Sequence, residues 1–72
     1  MRRTSETEAL KMFSKKVRKR RQELNLSQET LAELVGCHIN HIGRIERAKA
    51  DPSLSMMVKI ARALEVSLKE LV

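Results

Sequence analysis

Seventy-two residues suffice for one small domain with a single core and leave no room for a second. Fifteen Lys and Arg stand against nine Asp and Glu, a formal charge of +6 that points to a polyanion, most simply nucleic acid or else an anionic membrane surface, with a plainly solvated charged surface as the bland alternative. No apolar run nears the roughly 20 residues of a spanning helix, and the single Phe with no Trp or Tyr disfavours base stacking on single strands or an aromatic RNA-binding sheet.

In chain order, residues 1–6 are expected to form a flexible arm, and its start, MRRTSETEAL, lacks the apolar stretch of a secretory signal. Arg2 and Arg3 could reach a minor groove, although a frayed terminus explains them more simply. Leu10, Phe13, Val17 and Leu24 trace one face of a first helix over about 7–24. Ser5 with Glu8 offers a capping box before it, and Asn25 suits a left-handed C-terminal cap. Ser27 caps a second helix over about 28–35, with Leu31, Leu34 and Val35 inward and Ala32 allowing close approach. Gly36 ends it, and a third helix spans about 38–47. Lys49 to Pro52 is a loop, after which Ser53 caps a fourth helix through Leu64, with Leu54, Met57, Val58, Ala61 and Leu64 inward. Ser67 and Glu70 form a further capping box before a last short helix. The expectation is an all-α, five-helix domain over 7–72 without strands.

The second helix, Gly36 and the third helix (28–47) carry the spacing of a helix-turn-helix motif. Leu31, Val35, Cys37, Ile42 and Ile45 lock the pair, Ala32 permits the crossing, and Gly36 supplies the positive dihedral of the turn. On a helical wheel Ile42 and Ile45 face the core, while Asn40, Gly43, Arg44 and Arg47 share the opposite side. Arg can pair guanine O6 and N7, and Asn can pair adenine N6 and N7. Ile39, near the helix start, can meet a thymine methyl. Gly43 is grouped with these base-reading residues, either because a bare backbone approaches the bases or because it leaves room for Arg44. It could equally be a tolerated weak point, costing about 1 kcal/mol relative to Ala. Arg47 and Lys49 are candidate phosphate clamps, and His38 and His41 are expected to help the DNA face by touching phosphate. Arg18, Lys19 and Arg20 read as a solvated basic stripe.

The stretches LSQETLAELVG (26–36), IGRIER (42–47) and PSLSMMVKIARALEVSLKEL (52–71) resemble the lambda-repressor/Cro-like (XRE-type) helix-turn-helix regulators. The length is similar to restriction–modification controller proteins and small phage or plasmid repressors. The resemblance implies a compact lambda-repressor-like domain in which the positions of Ile39, Asn40 and Arg44 read bases and that of Gln28 bonds a backbone phosphate. It also implies an Arg21–Glu46 ion pair between the first and third helices. Family members usually have Gly where this chain has Ala48, so either Ala48 is strained or the third helix runs longer.

Cys37, His38 and His41 lack the further ligands a structural zinc site needs, and one cysteine excludes an intramolecular disulfide and fits a reducing cytosol. No catalytic constellation, cofactor motif or small-molecule ligand is evident, so an enzyme is not expected. The reading is a regulator that binds a pseudo-palindromic operator in double-stranded DNA as a homodimer, without a membrane. Leu64, Val66, Leu68, Leu71 and Val72 are the candidate dimer interface, though some must close the monomer core. The rival reading is an antitoxin-like or anti-repressor-like protein-interaction module with secondary DNA binding.

Overall fold

The computed structural model describes residues 5–72. Arg2 and Arg3 therefore lie outside the described residues. Four α-helices are present among them: α1 (Glu6–Glu23), α2 (Gln28–Val35), α3 (Ile39–Glu46) and α4 (Leu54–Ala63), followed by a 3-10 turn at Leu68–Glu70. Ser5 caps α1 by accepting from the Glu8 N–H at 3.1 Å, so Ser5 and Glu6 belong to the helix start. Ser27 accepts from the Thr30 N–H at 2.9 Å and Ser53 from the Met56 N–H at 3.1 Å. Each cap satisfies a donor that the first turn would otherwise leave without a partner.

All four helices are followed by a left-handed residue: Asn25 (φ 57°), Gly36 (φ 84°), Ala48 (φ 57°) and Glu65 (φ 58°). Gly36 adopts this conformation without steric penalty, its N–H donating to the Ala32 carbonyl at 2.8 Å. Ala48 and Glu65 do so against the Cβ clash that disfavours the region by roughly 1–2 kcal/mol per residue. Of the two alternatives for Ala48, the structure shows the positive dihedral rather than a longer α3.

The core gathers Phe13 and Val17 of α1, Leu31, Ala32 and Val35 of α2, Ile42 and Ile45 of α3, Ile60, Ala61 and Leu64 from α4 and its cap, and Leu71. Each fully buried Leu, Ile or Val contributes roughly 1.5–3 kcal/mol of transfer free energy. α2 packs on both α3 and α4, while α1 lies against α3. In α2 and α4 the buried stripe has i, i+1, i+4 spacing with Ala32 and Ala61 in second place, small enough for the helices to approach closely.

That stripe corrects three expectations. Leu34 lies well around the wheel from Leu31, Ala32 and Val35, and it is 58% exposed rather than inward. Leu54 opens α4 and is 66% exposed, whereas Ile60, absent from the expected inward set, is completely buried. The expected fifth helix is a 3-10 turn. Its Glu70 and Leu71 N–H groups bond the Ser67 and Leu68 carbonyls at 3.0 and 2.9 Å, and this tighter i to i+3 winding delivers Leu71 to the core. Glu70 reaches back to the Ser67 N–H at 2.8 Å, so the capping pair shapes a turn instead of opening an α-helix.

Candidate nucleic-acid interface

α3 is held from beneath by apolar burial and by two polar ties to α1. Ile42 and Ile45 are fully buried. The Ser14 hydroxyl, also buried, donates to the Ile45 carbonyl. Arg21 donates through Nε to Glu46 Oε2 at 2.7 Å and through Nη2 to Glu46 Oε1 at 2.9 Å. Its Nη1 donates to the Leu26 carbonyl at 2.8 Å, so one guanidinium joins α1, the α1–α2 link and α3. The hydrogen bonds to the Glu46 carboxylate, helped by its charge and opposed by desolvation, hold the Arg21 pKa above its ordinary value.

The opposite side of α3 faces outward. Asn40 and Arg44 are exposed, and Ile39 is 39% exposed at the helix start. His38 is the N-cap, its Nδ1 accepting the Asn40 N–H at 3.0 Å. Since an amide N–H only donates, Nδ1 is the unprotonated nitrogen, and the ring proton sits on Nε2. His41 is half-buried. Arg44 Nη2 donates to the Lys49 carbonyl at 3.2 Å across the end of α3. Lys49 and Arg47 are exposed beside it.

Gly43 is buried beneath the Arg47 guanidinium, whose Nη1 lies 3.1 Å from the place a Cβ would occupy. In the free chain the room left by the missing side chain is taken by Arg47. Gln28 also points inward: its amide donates to Glu46 Oε1 at 3.1 Å, which makes it part of the Arg21–Glu46 cluster in this state.

Of the candidate interface residues, Leu64 and Leu71 close the monomer's own core, at 0% and 2% exposure. Val66 and Leu68 pack against that core half-buried, and Val72 is exposed. Arg20 is not simply part of a solvated stripe, because its Nε donates to the Leu64 carbonyl at 3.0 Å and so satisfies the end of α4. Ser14 went unmarked in the sequence, although its place beside Phe13 and three residues before Val17 puts it on the buried face of α1. Cys37 packs half-buried against the core, and desolvation pushes its thiol pKa up. Among the described residues no three His, Cys, Asp or Glu side chains gather to hold a metal ion, and no helix is long and apolar enough to cross a membrane.

Two short helices locked at a tight glycine turn, the second turning polar and basic side chains outward, define a helix-turn-helix DNA-binding domain. The helix-turn-helix family model matches residues 17–71, and the chain belongs to this family of XRE-like transcriptional regulators. It is a small helix-turn-helix regulatory domain. It is 40% identical over 60 residues to the control protein C.SmaI of Serratia marcescens, covering 83% of this chain and 71% of that one. The crystal structure of the restriction–modification controller protein C.AhdI from Aeromonas hydrophila superposes with a TM-score of 0.85 at 38% identity, covering 88% of this chain and 96% of that one. The P22 c2 repressor, solved with a synthetic operator, gives a TM-score of 0.80 at 26% identity over 85% of this chain and 92% of its own.

Proposed function

We propose that the chain is a sequence-specific regulator that binds a pseudo-palindromic operator in duplex DNA as a homodimer, and that it controls transcription of a restriction–modification system. The observation that carries the reading is the exposure of Ile39, Asn40 and Arg44 on the side of α3 opposite the buried Ile42 and Ile45. In this reading that side enters the major groove, with Asn40 and Arg44 on base edges and Ile39 on a thymine methyl. His38 donates from Nε2 to a backbone phosphate, and His41 and Lys49 add phosphate contacts that set register without reading sequence. Gln28 remains the support of Glu46 and reaches phosphate only by exchanging that bond. Val66, Leu68 and Val72 lie at the pairing surface. Two reading helices are then spaced by one DNA turn, about 34 Å. The controller names of C.SmaI and C.AhdI support the regulatory assignment, and the site of action is the nucleoid in the cytoplasm.

The test is a bandshift with the DNA upstream of the chain's own gene, at moderate salt, against a scrambled duplex of equal length. Retardation of the upstream DNA alone, with two protected half-sites one turn apart, is expected. Equal retardation of both duplexes, or of neither, overturns the proposal.

A further inference from the structure

We propose that Gly43 and Arg47 form one specificity-determining unit: the glycine leaves a seat along the outward side of α3, and from it the Arg47 guanidinium reads a base edge rather than a phosphate. The proposal rests on the duplex-DNA reading above. Asn40 and Arg47 are seven residues apart, close to two full turns, so they stand in line on the face opposite Ile42 and Ile45. A long helical side chain leans toward the N-terminus and covers the turn before its own Cα. At Arg47 this lean brings the guanidinium onto Gly43, where Nη1, Cζ and Nη2 lie 3.1, 3.8 and 3.9 Å from the place a Cβ would occupy. A phosphate clamp beyond the C-terminus of α3 needs the opposite reach. The fork is instead drawn back over Gly43 at the middle of α3, toward the N-terminal turns whose side chains meet base edges.

The fork is also unengaged. Among the described residues no hydrogen bond or ion pair holds the Arg47 side chain, whereas Arg44 is tied to the Lys49 carbonyl. Its planar set of donors fits guanine O6 and N7 together, a match that the single ammonium of Lys does not reproduce. Gly43 has an ordinary helical dihedral, so Ala is tolerated by the backbone there. The added methyl displaces only the far end of a flexible side chain.

The experiment is enrichment of bound sequences from randomised duplexes by the full chain and by Gly43→Ala, Arg47→Lys and Arg47→Ala. Helical content is checked by circular dichroism, and binding to one fixed random duplex is measured against salt. The wild type should enrich a guanine whose preference falls about tenfold in Arg47→Lys and Arg47→Ala, and Gly43→Ala should weaken preference at that same position. Arg47→Lys should leave the salt slope on the fixed duplex unchanged, because the charge is kept. Retained base preference in Arg47→Lys with a uniform loss in Arg47→Ala identifies a phosphate contact and overturns the proposal. Wild-type preferences in Gly43→Ala overturn the pairing of the two residues. Absence of any enriched sequence with the wild type overturns the parent reading, and this one with it.

Discussion

Glu46→Ala removes the acceptor of two guanidinium hydrogen bonds and of the Gln28 amide, and it leaves Arg21 with a side chain only 12% exposed. The Leu26 carbonyl still accepts from Nη1, but the charge loses its counter-ion in a poorly hydrated place. Breaking a buried pair from one side costs about 3–5 kcal/mol. A domain of 72 residues has roughly 4–11 kcal/mol of total stability, so the variant should stand near the edge of unfolding. With a urea slope of about 1 kcal/mol/M, the denaturation midpoint should fall by roughly 3–5 M. Glu46→Gln keeps one acceptor but turns an amide nitrogen toward the fork, and should lose about half as much. The double variant Arg21→Met/Glu46→Leu should be more stable than Glu46→Ala, because neither charge is then stranded. Urea titrations followed by far-UV circular dichroism give all three values. A loss below about 1 kcal/mol for Glu46→Ala, as at an exposed pair, would refute the reasoning, as would a double variant no more stable than Glu46→Ala.

Ala48→Gly should raise stability by about 1 kcal/mol and the midpoint by roughly 4–8 °C in calorimetry, since it relieves a left-handed Ala. Gly36→Ala, where no neighbour obstructs a methyl, should lose a similar amount through backbone strain alone. Arg44→Ala should weaken operator binding by about 1–3 kcal/mol and relax one base pair, while Lys49→Ala weakens all duplexes alike and flattens the salt dependence; titrations on operator and random DNA separate them. The raised Cys37 pKa favours the neutral thiol in the folded chain, so its contribution is present below the ordinary value of 9.0 and is lost as pH rises through the raised one. Urea midpoints across that range should fall more steeply for the wild type than for Cys37→Ala.

Signals confined to one turn of chain were legible. Ser5, Ser27 and Ser53 announced helix starts, and Asn25 and Gly36 announced stops, because the chemistry of a cap involves only near neighbours. Leu34 and Leu54 were misplaced because apolar spacing defines a stripe but not its width, which the facing helices decide. Glu65 carries no local mark of a left-handed residue; closure of α4 onto the core imposes it. Leu64 and Leu71 show a related ambiguity, since an apolar residue serves equally well within a chain or between two. At the site, periodicity alone placed Asn40 and Arg44 outward. The cover over Gly43 depended on the side-chain direction of a residue four positions away, and the inward turn of Gln28 on the place of Glu46 in another helix.

The bond from Arg44 to the Lys49 carbonyl has a consequence for any ligand that recruits this guanidinium. A matching partner offers two acceptors in exchange for the one resting bond, so the loss of that bond is set against the gain. A partner without such acceptors leaves the fork at rest and gains nothing from it. The resting carbonyl thus holds the fork in one place before any ligand arrives, at the cost of part of the binding strength it can later supply.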